Sequence, residues 1–293
     1  MGLFRKKKRL DDGFIDMVRA HDNGEEWAQK FFDDGYDSGN PDFIRRFQEA
    51  RLQIYKKAAE QGDPNACCMM GKSYMFLGDE AQSFKWFKPL IDREDGYALS
   101  IISFGYNEFG GFPPDHDQEM YWLKRSAESG YAPSQVDLGR EYKIEHDYEK
   151  ALYWHQKAAD QNFPEGFVRT AEMLLDKIDK IKNDNYLNNK TKILNESQIT
   201  EIRSLMEKAE TYLYHTLSLD ITEKLAADAF DFLGRYYYHY IHDLNKAAYY
   251  YYASADVGQN QFMMDFFNQI VSENNLTVYP DDLKKWEDYA FGD

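Results

Sequence analysis

A set of similar residues recurs about every 34 positions, and this period constrains the fold more than any other feature of the chain. One column holds Ala66, Ser100, Ser134, Gly166, Ala229 and Phe262. Four residues further on stand Met70, Phe104, Leu138, Thr170, Leu233 and Phe266, each followed at once by Gly71, Gly105, Gly139, Ala171, Gly234 and Phe267. Tyr74, Glu108, Tyr142, Leu174, Tyr237 and Ile270 come three positions later. The modules lie 34, 34, 32, 63 and 33 residues apart. A period of this size marks stacked helical hairpins, units that bury their apolar faces only against their neighbours.

Within each module the apolar spacing predicts helix A, a short turn and helix B. In the third, helix A is expected over 134–143, with Val136, Leu138, Gly139 and Tyr142 at helical spacing. Helix B is expected over 148–161, with Ala151, Trp154, Ala158 and Ala159 on one stripe. Its Lys150-Ala151 pair returns as Lys208-Ala209 and Lys246-Ala247, with Trp154, Tyr212 and Tyr250 three residues after each Ala. Gly62, Gly130, Gly258 and Asn162 hold one fixed place after their second helices, where a left-handed residue ends a helix. Gly71, Gly105, Gly139 and Gly234 instead fall inside helix A, where glycine costs about 0.5–1 kcal/mol relative to alanine. Their recurrence predicts a helix contact that a side chain would block.

Ala58-Ala59-Glu60-Gln61-Gly62, Ser126-Ala127-Glu128-Ser129-Gly130, Leu138-Gly139-Arg140-Glu141-Tyr142, Lys150-Ala151-Leu152-Tyr153-Trp154 and Leu233-Gly234-Arg235-Tyr236-Tyr237 resemble the Sel-one-like repeat family, a relative of the tetratricopeptide repeat. The resemblance spans roughly residues 43–270. The fourth module departs from it, with Ala171 in place of the glycine and about 30 extra residues. The resemblance implies an all-α fold, a right-handed α/α superhelical solenoid of about six helix-turn-helix repeats. It implies a scaffold or adaptor and no shared catalytic residues. Around the repeats, the reading expects a basic tail over 1–13, capping helices over 14–42, the solenoid over 43–273 and a closing segment over 274–293, where Leu283, Trp286 and Phe291 cover the last apolar face. An insertion over 176–200 either lengthens two helices or forms a polar loop.

The formal charge is −16. Arg5, Lys6, Lys7, Lys8 and Arg9 crowd the start, so the remainder is more acidic still. Such a body repels nucleic acid and anionic membranes and favours partners of basic character. No apolar run is long enough to span a membrane. Leu10-Asp11-Asp12-Gly13 stands where a secretion signal needs apolar residues, so a cytoplasmic setting is expected. Cys67 and Cys68, adjacent on a helix, point about 100° apart and cannot bridge each other there.

Chemical motifs are sparse. His239 and His242, with Asp243, stand three apart on an expected helix, but no third ligand follows at a defined spacing. Asp115-His116-Asp117 reads as a helix start. There is no phosphate loop, nucleophile elbow or dinucleotide fingerprint, so no catalytic residue, metal or cofactor is expected. Tyr236-Tyr237-Tyr238-His239-Tyr240 and Tyr249 to Tyr252 surround whole helical turns; Tyr237 and Tyr250 fall on core columns, whereas Tyr236, Tyr240 and Tyr251 are candidates for exposure. As the resemblance implies, helix A residues should line a concave face, which nominates Lys72, Asn107, Arg140, Arg169, Arg235 and Tyr236 as binding residues for a protein or peptide. The alternatives are a partner that occludes an enzyme or toxin, as immunity proteins do, and an enzyme with a site in the groove.

Overall fold

The computed structural model describes residues 12–37, 40–189, 194–274 and 276. Their regular structure is helical throughout, with no strand among the described residues. The chain divides into two compact units, the first closing at Ser134 and the second opening at Gln135.

In the first unit, α1 (Asp12–Asp22) and α2 (Glu26–Asp37) pack on α3 (Pro41–Glu60). Phe14, Val18, Phe32, Phe47 and Ala50 form the core between them. Asp22 anchors α1, since its carboxylate accepts from the Arg51 guanidinium and from the Tyr55 hydroxyl at 2.9 Å. There follow α4 (Pro64–Phe76), α5 (Glu80–Ile91), α6 (Gly96–Gly105), α7 (His116–Glu128) and the start of α8 (Ala132–Ile144). Polar residues before the helices fix where they begin: Asn40, Asp63, Asp79, Asp95 and Asp115 each accept a backbone N–H of the first turn. Each such cap contributes about 1 kcal/mol. Met70, Met75, Phe87, Leu99 and Ile102 fill the core of this stretch.

The second unit holds the remainder of α8, then α9 (Tyr148–Ala159), α10 (Pro164–Asn189), α11 (Glu196–Leu217), α12 (Glu223–Tyr236), a π-helical turn (Tyr237–Ile241), α13 (Leu244–Val257) and α14 (Gln261–Glu273). Its core runs from Val168, Leu175 and Ile178 through Leu213 to Phe230, Leu233 and Tyr250. Helices α4, α6, α8, α10, α12 and α14 carry the repeating columns as helix A. Helix A packs beside helix A in both units, α4 on α6 and α10 on α12. The insertion extends both helices of its hairpin, giving α10 26 and α11 22 residues. Residues 190–193 of that insertion, 1–11 of the basic tail and the closing-segment residues Leu283, Trp286 and Phe291 lie outside the described residues.

The helix A glycines each accommodate a ring. A Cβ on Gly71 would sit 2.8 Å from the Phe87 ring, on Gly139 2.5 Å from the His155 ring, and on Gly234 2.8 Å from the Tyr251 ring. Gly105 faces Phe112 and Met75 in the same way. Gly71 precedes its ring by 16 residues and so does Gly139, but Gly234 precedes Tyr251 by 17. The π-helical turn absorbs that extra residue, as single-residue insertions in helices do. Downstream the frame is restored: Gly78, His146 and His242 take left-handed φ values of 74°, 62° and 60°, followed by the helix-capping Asp79, Asp147 and Asp243.

Three expectations change here. Tyr251 and Tyr236 are buried, Tyr251 because the π turn carries it onto Gly234. His239 and His242 do not share a regular helix, since His239 lies in the π turn and His242 is the left-handed turn residue. Gly62, Gly130 and Asn162 are left-handed as expected, but Gly258 has φ −80° and Gln259 takes the left-handed place. Gly258 instead permits a close approach, because its Cβ would lie 3.1 Å from Ala227 Cβ of α12.

Candidate functional site

The helix A face of the second unit is a lattice of ion pairs. Arg140 on α8 binds Asp137 at 2.5 Å and Glu165 of α10. Lys143 reaches Glu172 at 2.5 Å and Asp176 at 3.6 Å. Arg169 on α10 holds Glu172 at 3.3 Å and Asp228 of α12 at 2.9 Å. Arg235 on α12 returns to α10, to Asp176 at 3.0 Å and Asp179 at 2.9 Å. Tyr240 donates to Asp179 at 2.8 Å, and the Lys182 ammonium lies 4.4 Å over its ring. Every cation of this set is therefore occupied by a group of the same unit.

Protonation equilibria follow from that arrangement. Burial opposes charge on Arg235, but its hydrogen bonds to Asp179 and Asp176 overcome this and hold the guanidinium more firmly protonated than usual. Glu172 behaves in parallel: burial raises its pKa, but Lys143 and Arg169 bring it below the ordinary carboxylate value. Asp231 is the exception. It has no hydrogen bond or ion pair among the described residues, and burial, with the neighbouring Asp228, raises it to about 6. Asp228 and Asp231 line an open hollow of about 530 Å³, with Glu223, Lys224, Ser254, Asn260 and Met263. Against Asp137, Glu165, Glu172, Asp176, Asp179, Asp228 and Asp231 stand Arg140, Lys143, Arg169, Lys182 and Arg235, so seven carboxylates face five cations.

Behind the lattice sits His155, 1% exposed, with neither ring nitrogen hydrogen-bonded among the described residues. Burial lowers its pKa to about 4, with Arg140, Arg169 and Lys143 adding to the effect and Glu172 opposing it. A neutral imidazole sealed from solvent is poorly placed to exchange protons with a substrate. Among the described residues, no group of three or more His, Cys, Asp or Glu is arranged to hold a metal ion.

The six nominated residues therefore separate. Arg140, Arg169 and Arg235 come together in the lattice through carboxylates that the sequence did not single out. Tyr236 is 4% exposed and donates to Glu210 of α11 at 3.3 Å, which places it in the core. In the first unit, Lys72 on α4 is half-buried, its pKa lowered by burial and by Arg51. Asn107, in the same unit, turns inward on its own loop and accepts the Phe109 N–H at 2.8 Å. The capping carboxylates Asp79 and Asp147 recur in the sequence eight residues after Gly71 and Gly139.

No family model matches the sequence, and no curated protein matches it. Among solved structures there is a similarity. The chain is similar to a Sel1 repeat protein. That crystal structure, from Oxalobacter formigenes, shares 17% identity over 94% of this chain and 98% of the other, at a TM-score of 0.47. No helix among the described residues is long and apolar enough to cross a membrane.

Proposed function

We propose that this chain is a protein-binding module with no chemistry of its own, and that the helix A face of its second unit holds a lysine- or arginine-bearing segment of another protein. The observation that carries the reading is Asp231. Where Arg140, Lys143, Arg169 and Arg235 are already paired, a carboxylate with no hydrogen bond or ion pair among the described residues lies beside an open hollow, in a set with more carboxylates than cations. An incoming ammonium or guanidinium would gain a charge-assisted hydrogen bond there without displacing an existing pair. Arg140, Arg169 and Arg235 act in this reading as positioning residues that hold the acidic face in shape. The free, buried thiols of Cys67 and Cys68 suit a reducing, cytoplasmic setting.

Titration with a short oligolysine peptide, followed by fluorescence anisotropy, tests this. Asp231→Asn is expected to weaken binding about tenfold, near 1.4 kcal/mol, without lowering the melting temperature. Because the Asp231 pKa is raised to about 6, its charge is present above that pH and lost below it, so binding should weaken as pH falls through 6. Equal affinity for wild type and Asp231→Asn, or affinity indifferent to salt, contradicts the proposal.

A further inference from the structure

In the first unit the helix A face has a different character. Tyr97 and Phe104 stand seven residues apart on the open side of α6, 50% and 43% exposed. Phe76 of α4 lies against Phe104 with ring centroids 6.4 Å apart. Beyond the end of α6, Phe109 is 81% exposed, more than any other large apolar side chain among the described residues.

Phe109 is not a side chain on a loose loop. Its N–H is held by Asn107 Oδ1 at 2.8 Å, the Gly110 N–H donates to Asn107 O at 3.1 Å, and the Phe112 N–H to Gly105 O at 2.9 Å. Asp115 closes the loop by donating its N–H to Tyr106 O at 3.0 Å. Phe112 plugs the core at 4% exposure, and the Tyr106 hydroxyl donates to Glu80 at 2.6 Å. Gly110 and Gly111 let the loop lie directly on backbone: a Cβ would fall 2.2 Å from Gly105 O and 1.9 Å from Met75 O. Holding an exposed phenyl ring in one place lowers the ordering entropy that binding would otherwise cost.

The surroundings state the sign of what fits. Residues 104–123, which carry Phe104 and Phe109, contain Glu108, Asp115, Asp117 and Glu119 and no Lys or Arg, whereas Lys72 stands one turn before Phe76 on α4. The carboxyl ends of α4 and α6 add the negative poles of two helices. We infer that Phe109, with Phe104 and Phe76, is a second docking surface, and that its occupant is a segment of another protein carrying large apolar side chains flanked by lysine or arginine. It rests on other residues than the acidic face of the second unit and does not depend on that reading.

The probe is a synthetic peptide of leucine and lysine with its leucines on one helix face; one control replaces leucine by serine and another replaces lysine by glutamate. Phe109→Ser is expected to weaken binding of the leucine–lysine peptide at least about tenfold at unchanged melting temperature, while Phe109→Tyr keeps it. Both controls should bind more weakly to wild type, and Asp231→Asn should leave the Phe109→Ser ratio as it was. The inference is overturned if Phe109→Ser binds as wild type does, if the glutamate peptide binds as well as the lysine peptide, or if the leucine–lysine peptide does not bind.

Discussion

His155 occupies the place that Phe87 fills in the first unit, a ring pressed on a helix A glycine. The imidazole there gives up both of its hydrogen bonds and stays neutral. Its folded-state pKa of about 4 lies below the ordinary histidine value, so the unfolded chain takes up the proton first. The sign is therefore fixed: the contribution is fully present above about pH 6.5 and is lost as pH falls toward 4, by up to about 3 kcal/mol. His155→Phe is expected to stabilise the protein and to flatten its loss of melting temperature over that window; a variant with the wild-type pH profile contradicts this. Residues at this scale were partly readable. The sequence nominated Arg140, Arg169 and Arg235 as binding residues, and the structure places the three in one ion-pair lattice. It could not name their partners, because Arg169 meets Asp228 and Arg235 meets Asp176 across 59 residues, a span set by how an enlarged hairpin stacks.

The helices themselves were legible wherever small residues and glycines repeat, because those positions answer to backbone and ring contacts that recur in each hairpin. Helix α5 was not, since it ends Trp86-Phe87-Lys88-Pro89-Leu90-Ile91 with no pair of small residues, and Glu94 supplies the left-handed turn with φ 54°. The π turn was present in the sequence as a single extra residue between Gly234 and Tyr251, but only the structure shows that the helix widens to absorb it instead of shifting the hairpin. The glycine–ring contact gives a test at this scale. Alanine favours a helix over glycine by about 1 kcal/mol, yet overpacking a close-packed core costs about 1–3 kcal/mol. At Gly71 a Cβ would meet three atoms of a Phe87 ring that is fully buried, so overpacking should win. Gly71→Ala is expected to lower stability by about 1–2 kcal/mol in urea unfolding, and Phe87→Leu in the same chain should recover part of it. A stabilised Gly71→Ala would mean that the ring moves freely.

For the whole molecule, the −16 charge leads the sequence reading to expect a partner of basic character. It did not show how unevenly that charge is used. In the second unit, acids and bases are interlaced until few carboxylates remain unmatched; in the first, the loop that carries the exposed Phe109 holds acids and no Lys or Arg. The lattice lies on helix A, whereas Phe109 stands just beyond the end of α6; in the second unit the helix B stripes supply the packing beneath, through Ala151, Ala209 and Ala247, all fully buried. Hydrogen–deuterium exchange of the intact protein with and without oligolysine tests the central claim most directly, because it reports where a basic ligand lands without assuming which side chains matter. Slower exchange is expected in α8, α10 and α12, greatest around Asp228 and Asp231 and weaker in Asp231→Asn at the same oligolysine concentration. Protection confined to α9, α11 and α13, or protection unchanged by Asp231→Asn, would contradict a binding face built on helix A.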